Sequence, residues 1–187
     1  KLEVLSFGTN ERTGQKCSKI AIKVAKSMGV DLRKHESKTI DKTYISEENL
    51  YLVMDSQNYI ELTSKFPKIK RNIIPLGILG EHNSFEVEDP DEKNEQVHHE
   101  IFSQISSAID ELLKKGSSMH KSITIHEIKD DETFEQIRDE WNALLKKSTV
   151  DNLFLTWEWQ FNHWQHFKEN RELMILFIKD RNKRSVN

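Results

Sequence analysis

Apolar residues fall along the chain in two different periods, and the switches between them mark the elements. Residues 2–7 (Leu2, Val4, Leu5, Phe7) read as a short strand ended by Gly8, and Cys17, Ile20, Ala21, Val24 and Met28 form a helical stripe ended by Gly29. Residues 50–54 are a continuous apolar run of strand length, followed by a short helix over about 56–66. Residues 72–76 make a third, weaker strand around Ile73 and Ile74. A long amphipathic helix over about 92–115 keeps Val97, Ile101, Ile105, Ile109, Leu112 and Leu113 on one face. Strands alternating with helices predict an α/β fold, an open parallel sheet covered by helices on both faces, with reactive groups at the carboxyl ends of the strands.

Gly116, Ser117 and Ser118 follow that helix where a C-terminal glycine and a short linker belong, so the chain divides into domains 1–116 and 117–187. Behind the boundary, residues 122–129 alternate as a half-buried strand through Ile123, Ile125 and Ile128. Phe134, Ile137, Trp141, Leu144 and Leu145 form a helical stripe, residues 154–167 an aromatic-rich and mostly helical segment, and residues 173–178 a last strand. This α+β piece of about 70 residues is near the size at which a core becomes marginal, and it reads as the opening of a larger domain.

Composition narrows the function classes. With 28 Lys plus Arg against 31 Asp plus Glu, the net charge of -3 offers no basic nucleic-acid surface. The basic group Lys179, Arg181, Lys183 and Arg184 reads as an exposed connection. No apolar run reaches the roughly 20 residues of a membrane span, and no secretory leader is visible, so a cytoplasmic protein is expected. The single cysteine, Cys17, excludes an intrachain disulfide framework and a cysteine zinc cluster. Cys17 also falls on the apolar helical face and reads as a small buried hydrophobe. His98-His99 and His163-x-x-His166 lack carboxylate or thiolate partners at a metal-binding spacing; they read as solvated helix histidines, and no metal is expected. No glycine grouping makes a nucleotide loop.

Four patches in the front domain carry a family resemblance: Val4-Leu5-Ser6-Phe7-Gly8-Thr9, then Gly29-Val30-Asp31-Leu32 with His35, then Leu50-Tyr51-Leu52-Val53-Met54-Asp55, and Val87-Glu88-Asp89-Pro90. Their order and spacing, closed by the long helix, resemble the low-molecular-weight protein tyrosine phosphatases. The resemblance implies hydrolysis of phosphotyrosine in a protein substrate. A cysteine thiolate in a C-x5-R-[ST] loop attacks phosphorus, and an aspartic acid protonates the leaving phenolate and later activates water. It assigns the acid to Asp89, and it assigns to Ser6 and His35 a supporting role through hydrogen bonds to the phosphate loop. On the residues alone, Asp89-Pro90 reads as a turn in an acidic stretch, Ser6 as a strand serine and His35 as a surface histidine. The family's aromatic residues after Asp-Pro are replaced by Asp91 and Glu92, which disfavours acidic peptides.

The departure from the family lies at the nucleophile. No C-x5-R occurs, since Lys23 stands six positions after Cys17. In the family that loop and its strand come first, so the resemblance implies a chain truncated at its N-terminus, expected to lack turnover. The missing strand is the central one, and residues 2–7 and 50–54 are expected to lack their shared neighbour. Arsenate reductases of the same fold need further cysteines, absent here.

In the back domain, Glu140-Trp141-Asn142-x-Leu144-Leu145, Phe154-Leu155-Thr156-x-Glu158-Trp159 and Trp164 resemble the start of the GNAT-like acetyltransferase domains associated with bacterial cellulose and exopolysaccharide biosynthesis. The resemblance stops short of the acetyl-CoA loop, so no cofactor is expected here and acetyl-CoA belongs only to a complete second domain. Most of the tryptophans read as core. Two functions follow: a phosphatase within a fusion connected to surface-polysaccharide synthesis, or a non-catalytic phosphatase-like lobe that binds a partner or positions an acetyltransferase.

Overall fold

The first helix, α1 (Lys19–Ser27), begins where the Ser18 hydroxyl accepts a hydrogen bond from the Ala21 amide, and Gly29, at φ 84°, follows its end. The computed structural model describes residues 3–10, 13–80, 84–115, 123–148 and 152–180. They belong to two compact units, 1–121 and 122–187. The expected helix-ending Gly116, the linker serines and the basic residues Arg181, Lys183 and Arg184 lie outside the described residues.

In the first unit, strand β1 (Tyr51–Val53) leads through Asp55 into helix α2 (Ser56–Lys65) and returns as strand β2 (Ile73–Pro75). Asp55 caps α2 by accepting from the Asn58 amide at 2.5 Å. The strands pair in parallel, Tyr51 opposite Ile73 and Val53 opposite Pro75, so this is a β-α-β unit. Its centre is dry: Ile73, Ile74, Leu76, Tyr59, Leu62 and Ile69 are all buried. Helix α3 (Glu95–Lys115) closes the unit against the turn Leu76–Leu79, with Ala108 fully buried where Gly80 comes close.

Three expectations change here. Residues 3–7 form no ladder; Val4 is 85% and Leu5 53% exposed, and among the described residues β1 pairs with β2 alone. The described parallel sheet therefore has two strands. Gly8 and residues 14–16 instead lace onto 36–40: the Gly8 amide donates to Lys38 O, Ile40 N to Gly8 O, and Lys16 bridges Glu36. Second, Cys17 precedes the Ser18 cap, outside α1, and is half-buried rather than fully buried; α1 buries Val24 and Ala25 while Ile20 and Met28 stay more than a third exposed. Third, the buried line of α3 runs through His98, Ile101 and Ala108, leaving Ile109 and Leu113 outside. His98 is thus a core histidine, 2% exposed, donating from Nδ1 to Asn94 O at 3.0 Å, and not a solvated one.

The second unit pairs strand β3 (Ile123–Ile128) antiparallel with β4 (Ile175–Asp180). Between them the expected single stripe divides at Ile137 into helices α4 (Asp131–Gln136) and α5 (Arg138–Lys147), and α6 (Trp157–Phe167) follows. Ile128, Phe134, Ile137 and Trp157 form the core, with Trp141, Phe161 and Trp164 packed around it. The polar and aromatic residues of α5 and α6 knit this unit together. The Trp141 indole donates to Leu155 O at 2.8 Å, Asn142 Oδ1 accepts the Trp157 amide, and Glu158 accepts from Arg138 and Asn142.

Asp131 ties α4 to α6 by accepting from Lys168, Gln165 and the Trp164 indole at 2.5, 2.8 and 2.7 Å. Lys168 above all, then Gln165 and Trp164, hold its carboxyl well below the ordinary Asp value of 3.8. A carboxyl lowered by folding stabilises above its unfolded value, and that contribution fades as pH falls toward the folded one. The second unit should therefore unfold at lower urea at about pH 3 than at about pH 7. In Asp131→Asn, part of that pH dependence should vanish, which tryptophan-detected urea titrations will read.

Candidate functional site

The segment carrying Asp89 is fixed from its N-terminal side. Gly77, in the turn after β2, comes so close to the returning chain that an added Cβ would stand 2.3 Å from Ser84 O and 3.2 Å from Val87 Cγ2. Only glycine permits that approach. The Val87 side chain is buried, and its amide donates to Met54 O at 2.8 Å, directly after the last residue of β1. The Glu86 carboxylate accepts from the Ser56 amide, the first of α2, at 3.2 and 3.4 Å. These contacts put Asp89 beyond the carboxyl end of β1, where ligands of open α/β sheets bind. Gly77→Ala should cost about 1–3 kcal/mol by overpacking. It should also speed hydrogen exchange at the Val87 amide; unchanged exchange would show that the segment is not held there.

Asp89 itself is exposed, and its Oδ1 accepts the Asp91 amide at 3.0 Å. The turn and the presentation of a carboxyl are thus one geometry: the side chain shapes the loop and still reaches solvent. Pro90 O accepts from the Lys93 amide, Glu92 takes a left-handed φ of 61°, and Lys93 pairs with Glu88 at 3.1 Å. Five acids, Glu86, Glu88, Asp89, Asp91 and Glu92, stand in seven residues against one Lys93.

Ser6 and His35 are both exposed. They lie at the two ends of the laced region, Ser6 just before Gly8 and His35 beside the Lys16–Glu36 bridge. No hydrogen bond or ion pair among the described residues joins Ser6, His35 and Asp89 to one another. Gln57, one turn back on α2, donates to the Glu61 carboxylate at 2.6 Å, and Gln57 first, then Thr9, lowers that carboxyl below its usual value.

No group of three or more His, Cys, Asp or Glu side chains suited to a metal occurs among the described residues. No helix among them is long and apolar enough to cross a membrane. Sequence reasoning missed Glu86, Val87 and Gly77 as the residues that place Asp89. The Glu86 and Val87 contacts join positions 30 and 33 residues apart, and only the glycine carries a local signal.

Comparison with known proteins supplies the remaining constraint. The family model for low molecular weight phosphotyrosine protein phosphatase matches residues 1–124. A probable low molecular weight protein-tyrosine-phosphatase EpsP of Ralstonia nicotianae is 26% identical over 109 residues, 58% of this chain and 73% of the relative. The crystal structure of the low molecular weight protein tyrosine phosphatase from T. tengcongensis superposes with a TM-score of 0.55 at 25% identity, over 60% of this chain and 76% of that one. The YwlE arginine phosphatase from Geobacillus stearothermophilus shares the fold, with a TM-score of 0.54 at 23% identity over 60% of this chain and 73% of its own. With an α/β unit that presents an Asp-Pro loop at the end of its first strand, and a match over most of its length, the chain belongs to the low molecular weight phosphotyrosine protein phosphatase family.

Proposed function

We propose that the first unit supplies the general-acid half of a phosphotyrosine phosphatase, with Asp89 as the acid. The observation that carries this reading is the Val87 amide bonded to Met54 O, which holds the Asp89-Pro90 loop at the carboxyl end of β1. The nucleophile is assigned to a C-x5-R-[ST] segment preceding Lys1, whose strand would pair with β1 on the side away from β2. Exposed Val4 and Leu5 and the open edge of β1 support that insertion.

In this mechanism the cysteine thiolate attacks phosphorus and the P–O bond to the aryl group breaks. The Asp89 proton passes to the departing oxygen. The resulting carboxylate then takes a proton from water, which displaces sulfur from phosphorus, releasing phosphate and restoring the thiolate. Ser6 and His35 hydrogen-bond to the phosphate loop and hold it open, a role supported by their places at the ends of the laced region next to the proposed insertion. The setting we propose is surface-polysaccharide synthesis in a bacterial cell, resting on the paired resemblances of the two units.

The second reading is a lobe without catalysis that binds a partner or positions an acetyltransferase. It is favoured by the absence of C-x5-R from the chain and by Asp91 after Pro90. The separating experiment expresses the protein with its own upstream coding sequence, then measures aryl phosphate turnover and tungstate binding. Turnover with saturable tungstate inhibition supports the phosphatase; no turnover and no saturable response supports the lobe.

A further inference from the structure

The Glu86 side chain makes a contact that the family resemblance does not assign. Ser56 opens α2, so its amide has no acceptor within the helix and sits at the positive end of the helix dipole. Asp55, the helix's own cap, takes the Asn58 amide with its side chain and the Tyr59 amide with its carbonyl. The Ser56 amide is left to Glu86, 30 residues on, which meets it with both carboxylate oxygens at 3.2 and 3.4 Å.

We propose that Glu86 is a positioning residue for Asp89: it pins the acid-bearing loop to the start of α2, and so to the end of β1. This rests on the proposed function. The chain is clamped on both sides of Glu86, since Ser84 Oγ donates to Glu86 O at 3.1 Å and the Val87 amide donates to Met54 O. Beyond Val87, Glu88, Asp89 and Asp91 are exposed, and their ties are local ones, Glu88 to Lys93 and the Asp91 amide to Asp89. The aim of Asp89 is therefore inherited from the clamp at 84–87. A displacement of about 1 Å in a reacting group can cost about a hundredfold in rate, and loosening one point of the clamp should cost part of that.

The experiment has two arms. On the 187-residue chain, amide hydrogen exchange followed by NMR should be faster at Ser56 in Glu86→Ala than in the parent, while the Asn58 amide, bonded to Asp55, keeps its rate. Unchanged exchange at Ser56 in Glu86→Ala overturns the contact.

On the protein carrying its own upstream sequence, Glu86→Ala should lower kcat about tenfold with KM changed less than about twofold. Glu86→Gln, whose amide oxygen still accepts from Ser56, should recover most of the loss. Unchanged kcat in Glu86→Ala overturns the role, as does a Glu86→Gln variant as impaired as the alanine. If Asp89→Asn retains full turnover, or the extended protein turns over nothing, the proposed function fails and this inference with it. If Asp89→Asn is impaired and Glu86→Ala is not, only the inference fails.

Discussion

Asp89→Ala, made in the protein extended by its own upstream sequence, is expected to lower aryl phosphate turnover by about 10²–10⁴-fold, the usual worth of a placed general acid. The loss should depend on the leaving group. Phenolate from p-nitrophenyl phosphate is stable enough to depart without a proton, whereas phenolate from phenyl phosphate is not. The variant should therefore be impaired more severely on the second substrate. Parallel losses on both would mean that Asp89 shapes the loop through its bond to the Asp91 amide without transferring a proton. A fall of less than about tenfold on phenyl phosphate, whose leaving group needs the proton, would remove Asp89 from the chemistry.

The second large effect concerns the second unit. Phe134 is 2% exposed and meets Trp141, Trp157 and Phe161 with ring centroids 5.7, 5.9 and 5.3 Å away, while its carbonyl accepts the Trp157 indole at 2.9 Å. Removing such a ring costs about 3–5 kcal/mol through lost burial and the cavity left behind. A unit below about 70–80 residues rarely has more than about 3–5 kcal/mol to lose. Phe134→Ala should therefore leave the second unit unfolded at room temperature. All four tryptophans lie between Trp141 and Trp164, so their fluorescence reads this unit alone. The cooperative tryptophan transition in urea should vanish in the variant. A transition that survives with a loss below about 1 kcal/mol would show that the core is centred elsewhere.

Much of the fold was legible because its elements are amphipathic over whole turns. The β1-α2-β2 unit, the long α3 and the order of the second unit follow from period and run length alone, to within a few residues. What the sequence misplaced was decided by partners. Residues 2–7 have strand composition, but composition supplies no neighbour, and the described part stays outside any ladder. The stripe from Phe134 to Leu145 breaks at Ile137 because the Trp157 and Phe161 rings pack on Phe134 while Trp141 turns toward Leu155. His98 is buried because the inner line of α3 follows the small Ala108 and not the larger Ile109.

The candidate site was legible as a dipeptide and illegible as a geometry. Asp89-Pro90 stands out in the sequence, yet what gives it a place is Gly77 beneath Ser84, Val87 on Met54 and Glu86 on Ser56. Only the glycine carries a local signal; the other two contacts join positions 33 and 30 residues apart. Ser6 and His35, chosen by resemblance, lie exposed at the ends of the laced region with no hydrogen bond between them. Their proposed role depends on a segment that would stand beside them.

The most direct test of the whole account is to read the coding sequence upstream of Lys1 over about 45 codons, enough for a strand, a loop and a crossover helix. The account predicts an apolar strand followed by C-x5-R-[ST]. A start codon immediately before Lys1, or a loop that lacks the cysteine, would contradict it and leave the partner-binding lobe as the function of this fold.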